Sequence, residues 1–145
     1  RGSVYNEKVG SVTEIRGNTY ISATPLYDNS NSRGAVQALN GTIKITGGTI
    51  ISDNCAVRIE KNGQLIVGTE DGSYNVTTPV IRGGKEGINS NVSYPVYDGI
   101  IEGKTYAVND EAKINGTESG FTKVNEDKTV DGETYHALYY KNPNE

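Results

Sequence analysis

Carboxylates are the residues of this chain whose type and spacing first suggest chemistry. Glycoside hydrolysis needs two carboxyl groups roughly 5 to 9.5 Å apart, and Asp98 and Glu102 lie four residues apart in strand-like sequence. Residues four apart in an extended strand share a face but are separated by about 13 Å. Asp53, Glu60 and Glu86 could approach Glu102 only from neighbouring strands. We therefore expect these carboxylates to be solvated outward positions and the protein not to be an enzyme.

The sequence also has few residues that could carry out nucleophilic or metal-assisted chemistry. The chain has one histidine, His136, and one cysteine, Cys55, which lie far apart in sequence. A catalytic triad or a histidine metal cluster needs more such residues than these. Cys55 precedes Ala56 and Val57, so we interpret it as a small buried hydrophobic residue, and His136 as structural. We expect no cofactor.

One polar segment has some features of a calcium loop. Asp28, Ser30 and Ser32 alternate through a segment that ends at Gly34, and alternate oxygen ligands suit a hard cation. The glycine spacing differs from that of a calcium loop, and no bidentate glutamate follows. A polar loop is the favoured interpretation, and these three residues are the calcium candidates if a metal binds.

Tyrosine dominates the aromatic residues, with ten tyrosines, one phenylalanine and no tryptophan. Tyr94, Tyr97 and Tyr106 lie close together in sequence, and exposed tyrosines give a flat amphipathic area suited to sugars or protein partners. Tyr94 and Tyr106 could align on neighbouring strands. The alternative is that all three fill or cap the interior. They are the candidate binding residues.

The element that would position these side chains repeats along the chain as an Ile-x-Gly step. It occurs at residues 15–17, 45–47, 81–83 and 101–103. Residues 15–22 and 45–52 are identical at five of eight positions, and residues 81–88 match the pattern of residues 101–108. Such self-similarity indicates stacked units that bury their apolar faces against one another.

Composition indicates strands. Isoleucine and valine supply 26 residues, against 11 for leucine, alanine and methionine, and β-branched side chains suit pleated sheets. We predict an all-β fold: a short right-handed parallel β-helix (solenoid) over residues 1–112, with an antiparallel hairpin or meander cap and tail over residues 113–145, in one compact unit. The alternative is an antiparallel β-sandwich, because Asn62-Gly63 could be a hairpin turn.

Charge and hydropathy exclude two classes of partner. The net charge is −4, with a pI near 5.1, and no cluster of lysine and arginine forms the basic surface that nucleic acid requires. We expect no nucleic-acid partner. No apolar run approaches the length needed to cross a bilayer, so we expect no membrane contact.

Three segments carry a resemblance to a known group. Residues 62–72, 78–83 and 97–104 resemble segments of the right-handed parallel β-helix repeat proteins of Gram-positive bacterial cell surfaces, over roughly residues 40–110. The resemblance implies an extracellular, cell-surface location and a non-catalytic structural or adhesive module. Its partners would be a protein or glycan ligand on host or neighbouring cells, or copies of itself.

Two other functions remain open. One is the ectodomain of a pilus or filament subunit. The other is a carbohydrate-active fragment related to polysaccharide lyases or hydrolases, because parallel β-helices are also a common scaffold of those enzymes.

Overall fold

The computed structural model describes residues 4–24, 34–70, 78–116 and 122–141, which fold almost entirely into strands. The strands are β1 (Val4–Asn6), β2 (Val12–Ile15), β3 (Tyr20–Ala23), β4 (Gly34–Ile45), β5 (Thr49–Ser52), β6 (Cys55–Val67), β7 (Val80–Gly83), β8 (Glu86–Ser90), β9 (Tyr94–Pro95), β10 (Ile100–Gly103), β11 (Tyr106–Val108), β12 (Ile114–Gly116), β13 (Thr122–Val130) and β14 (Glu133–Lys141). A single-turn 3-10 helix covers Glu111–Lys113. In the described segments, no helix is long and apolar enough to cross a membrane.

Two six-stranded sheets and a pair of short strands make up the fold. Sheet 1 has the order β1-β4-β6-β8-β11, with β2 also beside β4, and its pairings are parallel. Sheet 2 has the order β13-β14-β10-β7-β5-β3. Its strands from β3 to β10 are parallel, and β14 joins antiparallel to both β10 and β13. Sheet 3 is the parallel pair β9 and β12.

The core lies on the inner faces of these sheets. In sheet 2 a row of buried aliphatic side chains crosses five adjacent strands: Ile21, Ile50, Ile81, Ile101 and Leu138. In sheet 1 the corresponding row is Val36, Val57, Ile88 and Val108. Alternation along each strand sends the residues on either side of these rows to the opposite face.

The predicted short right-handed parallel β-helix is wrong as the fold class. The described strands form open sheets that mix parallel and antiparallel pairing. The antiparallel hairpin continues sheet 2, because β14 is hydrogen-bonded to β10 and places Leu138 beside Ile101 in the core row. Asp131 and Gly132 both have positive φ, which allows the tight turn between β13 and β14. Only the all-β class is confirmed.

The antiparallel sandwich is wrong as well. Asn62 and Gly63 lie within the continuous strand β6, where they pair in parallel register with Asn40 and Gly41, and do not form a hairpin turn. A Cβ at Gly63 would lie 2.9 Å from the carbonyl oxygen of Ala38, so glycine is needed here for close strand approach. The predicted boundary between the part of the chain over residues 1–112 and the C-terminal part over residues 113–145 stays a prediction.

The Ile-x-Gly steps occupy two different places in the fold. Ile15 pairs with Ile45 in sheet 1, whereas Ile81 pairs with Ile101 in sheet 2. The residue beside Ile81 on its other side is Ile50, not Ile45. The 20-residue match therefore gives true strand neighbours. The 30-residue match does so at Ile15, whereas Ile21 pairs with Ile50 and not with Ile51. The 36-residue spacing joins unrelated positions.

Candidate binding face

The outer face of sheet 2 carries a row of side chains that crosses all six strands. Because the core row of this sheet points inward, the preceding residue of each strand from β3 to β10 points outward. This apolar row consists of Tyr20, Thr49, Val80, Ile100, Tyr139 and Val124. Tyr20 is 66% exposed and the others are half-buried. Six strands at their usual spacing give the row a span of about 24 Å.

A buried carboxylate lies beside the apolar row. Glu102 is fully buried although it belongs to the outward-facing positions of β10. Its Oε2 accepts a hydrogen bond from Arg82 Nε at 2.6 Å, and its Oε1 accepts one from Lys128 Nζ at 3.0 Å. Both carboxylate oxygens are therefore paired with cations, which compensates the cost of burying the charge.

The ring of Tyr135, in β14, lies beside two cations of this face. The Arg82 guanidinium carbon lies 5.6 Å from the ring centroid of Tyr135, and Lys104 Nζ lies 5.8 Å from it. Lys104 also forms an ion pair with Glu133, whose hydrogen bond raises the lysine pKa. These contacts tie β13 and β14 to β7 and β10, so the outer face of sheet 2 is fixed across the antiparallel join.

Tyr139 is held in place within the apolar row. Its hydroxyl donates a hydrogen bond to Glu126 Oε1 at 3.1 Å. Desolvation and this hydrogen bond raise the pKa of the phenol. The phenol is therefore neutral at physiological pH, and its hydroxyl is directed towards Glu126.

A small cavity of about 150 Å³ lies at the β3 end of the apolar row. It is lined by Gly17, Asn18, Thr19, Tyr20, Gly48, Thr49 and Thr78. Gly48 has φ of +85°, and a Cβ there would lie 2.6 Å from the carbonyl oxygen of Thr19. Glycine thus lets the two turns approach closely and form the cavity. We call the apolar row, the Glu102 ion pairs and this cavity together the lateral face.

The structure does not bring the three predicted tyrosines onto one surface. Tyr94 is fully buried and pairs with Ile114, whereas Tyr106 is 52% exposed and pairs with Glu86. Tyr94 and Tyr106 are therefore not aligned on neighbouring strands. The Tyr94 hydroxyl has no hydrogen-bond partner among the described residues, and burial raises its pKa. Tyr97 is half-buried, and a binding role for it and Tyr106 stays a prediction.

The carboxylate prediction is wrong for three residues. Glu86, Asp98 and Glu102 are buried, not solvated. Each accepts a hydrogen bond that compensates its burial: Glu86 from the Asn89 side chain at 2.6 Å, Asp98 from the N–H of Gly99 at 2.8 Å, and Glu102 from its two cations. All three carboxylates therefore accept hydrogen bonds within the fold.

The expectation for Cys55 is confirmed. Its side chain is fully buried and its thiol lies 3.2 Å from the carbonyl oxygen of Val57. Burial raises the pKa of the thiol to about 12, so the reactive thiolate is not populated near neutral pH. His136 is exposed, and its Nδ1 lies 2.7 Å from Asp127 Oδ1.

The metal candidates Asp28, Ser30 and Ser32 lie outside the described residues. Within the part of the chain that is described, no group of three or more histidine, cysteine, aspartate or glutamate side chains could hold a metal ion.

Sequence reasoning considered Glu102 only as a solvated carboxylate and missed its pairing with Arg82, although a signal for this pair was present. They are the middle residues of the Ile-x-Gly steps at 81–83 and 101–103, and those steps are strand neighbours. Two opposite charges at equivalent positions of a 20-residue match indicate a cross-strand pair. Tyr20 and Tyr139 carried no comparable signal, because exposure depends on which face of the sheet is covered.

Comparisons with models of known protein families, with curated proteins and with solved structures found no match to this chain.

Proposed function

We propose that this chain is a non-catalytic structural or adhesive module that binds its partner through the lateral face. The observation that carries the proposal is the apolar row, which presents partly or largely exposed tyrosine and aliphatic side chains on the outer face of five of the six strands of sheet 2, with Thr49 on the remaining strand. A continuous apolar patch with a polar border is typical of an interaction site. Tyrosines are enriched at such sites because they combine an apolar ring with a polar hydroxyl.

Rigidity supports a binding role. The ion pairs of Glu102 and the contacts of Tyr135 fix the hairpin against the sheet, and Glu126 holds the ring of Tyr139. A preorganised face loses little conformational entropy when it binds. This arrangement suits an extended partner that lies flat across the strands.

An extracellular, cell-surface location and a protein or glycan partner are part of the proposal. Their support is the resemblance of residues 62–72, 78–83 and 97–104 to bacterial surface repeat proteins. Burial of the single cysteine is compatible with an oxidising environment, because the thiol is shielded from pairing with another chain.

The test compares two matched substitutions. Ile100→Lys places a charge in the apolar row, and Val12→Lys places the same charge on sheet 1, where Val12 is 65% exposed. Binding to a panel of bacterial and host polysaccharides and self-association by sedimentation velocity are measured for each. We expect Ile100→Lys to weaken the observed binding at least tenfold and Val12→Lys to leave it unchanged.

Circular dichroism checks that both variants are folded, and Tyr20→Lys replaces Ile100→Lys if the latter does not fold. Equal binding by wild type and the row variants contradicts the assignment of the face. Release of new reducing or unsaturated ends from any polysaccharide, in proportion to protein concentration, contradicts a non-catalytic role.

A further inference from the structure

We propose that the cavity at the β3 end of the lateral face binds one unit of an uncharged glycan, whose chain continues along the apolar row. The inference rests on the proposed function and names its ligand class. It follows from the chemistry, size and position of the cavity.

The lining of the cavity offers hydrogen bonds without charge. It consists of three threonines, one asparagine, one tyrosine and two glycines. Threonine hydroxyls donate and accept, and the asparagine amide does both. A sugar unit presents hydroxyl groups of the same two kinds around its ring. Thr19 already donates its hydroxyl proton to the carbonyl oxygen of Arg16 at 2.7 Å, so its oxygen is left as an acceptor.

Tyr20 supplies the apolar contact. It is both a lining residue of the cavity and the end of the apolar row, and it is 66% exposed. The C–H groups on one side of a sugar ring make an apolar surface that packs on an aromatic ring. Beyond Thr49, the row positions Val80 and Ile100 continue that apolar surface away from the cavity.

The size of the cavity selects a single unit. Its volume of about 150 Å³ is below the roughly 300 to 1,000 Å³ of sites that enclose a whole small molecule. A ligand larger than one unit must therefore extend beyond the cavity, and the row on the same face gives it a path of about 24 Å. A repeating polymer fits this arrangement better than an isolated small molecule.

Charge favours an uncharged glycan over an anionic one. No lining residue is charged. Arg82 and Lys128, which lie on the same face of sheet 2 as the row, are both paired with Glu102, so an anionic ligand would have to compete with a buried carboxylate for them.

The experiment titrates the protein with defined polymers and follows amide shifts by NMR together with heats by calorimetry. The uncharged probes are oligosaccharides of glucose, mannose, galactose and N-acetylglucosamine, and the anionic probes are oligogalacturonate and hyaluronan fragments. We expect at least one uncharged probe to bind and to shift the amides of residues 17–20 and 48–49. Anionic probes of equal length are expected to bind more weakly.

Three variants locate the subsite. Tyr20→Ala is expected to raise Kd about tenfold, the loss typical of one aromatic contact, and Thr49→Val, which keeps the shape but removes the hydroxyl, about fivefold. Val12→Ala is the control, because Val12 is also an exposed apolar residue but lies on sheet 1, and it should leave Kd unchanged. Tyr20 and Val12 are exposed enough that both variants should fold.

The failure of this inference is distinguishable from that of the proposed function. If no uncharged probe binds, or if Tyr20→Ala does not change Kd, the glycan subsite is wrong. If binding of an anionic probe or self-association is then still lost in Ile100→Lys, the lateral face remains a binding face. If substitutions in the apolar row and in the cavity leave the binding of every probe unchanged, both proposals are wrong.

Discussion

Replacing Glu102 by glutamine should destabilise the fold by about 2 to 3 kcal/mol. Removing one member of a buried ion pair typically costs 3 to 5 kcal/mol, because the other charge stays buried without compensation. Here the side chains that remain are 20% exposed at Arg82 and 44% exposed at Lys128. Water can therefore partly solvate both cations, so we expect a loss of stability below 3 to 5 kcal/mol. The two charge-assisted hydrogen bonds of Glu102 account for most of this loss.

The two cations should not be equivalent. Arg82→Met leaves the fully buried carboxylate with only the more exposed lysine, so we expect a loss of about 3 to 4 kcal/mol. Lys128→Met leaves the 2.6 Å bond between Arg82 and Glu102 intact, and the exposed lysine contributes no more than about 1 kcal/mol after solvent screening. The predicted order of destabilisation is Arg82→Met, then Glu102→Gln, then Lys128→Met.

Urea denaturation followed by far-UV circular dichroism at pH 7 measures these free energies of unfolding. Lys123→Met, which breaks an exposed pair with Glu111, is the control and should leave the midpoint unchanged within error. The double variant of Arg82 and Glu102 should cost less than the sum of the single variants, because the two residues share one interaction. A Glu102→Gln variant as stable as wild type, or a larger loss in Lys128→Met than in Arg82→Met, would refute the reasoning.

Four further predictions concern positions away from the lateral face. Gly83→Ala should cost about 3 kcal/mol or prevent folding, because its Cβ would lie 1.8 Å from the carbonyl oxygen of Glu86. Gly132→Ala, where a Cβ would contact no atom within 4 Å but φ is +79°, should cost only about 1 to 2 kcal/mol in the same urea denaturation experiment. Tyr94→Phe should raise stability by about 1 kcal/mol because it removes a buried hydroxyl without a described partner, and a lower urea midpoint would contradict this. The thiol of Cys55 should resist alkylation until the protein unfolds. Since its pKa is about 12 in the fold against 9.0 as the ordinary value, the native state keeps a proton that the unfolded chain loses. The thiol should therefore lower stability as pH rises above 9, by up to about 1.4 kcal/mol per pH unit. A Cys55→Ala variant with an equally steep loss between pH 9 and 10.5 would show that the thiol is not the cause.

Local patterns were sufficient to locate strands but not to assign every neighbour. The alternation in Thr42–Ile45 and Ala56–Glu60 correctly indicates half-buried strands, because period-two alternation reports which side of a strand is apolar. The match between residues 81–88 and 101–108 also gives the true register. The Ile-x-Gly step at residues 45–47 is misleading, because it matches the step at residues 81–83 although Ile45 lies in sheet 1 and Ile81 lies in sheet 2.

The candidate site was harder to predict than the strands. Tyr94 and Tyr106 have similar surroundings in sequence, yet one is fully buried and the other is half exposed. Burial is set by the strands that cover a residue, and those strands come from distant parts of the chain. Tyr20 and Tyr139 lie on the same face only because β14 belongs to the same sheet as β3, and no local sequence pattern indicates this.

The sequence by itself determined the all-β class, the apolar side of many strands and the inert character of Cys55, since each depends on a residue and its immediate neighbours. Tertiary structure decided that β14 pairs antiparallel with β10, that Glu102 is buried between two cations, and that the apolar row lies on the outer face of sheet 2. Each of these depends on contacts between residues 20 or more positions apart, and the free energy of such contacts is set by packing and desolvation in the assembled sheet.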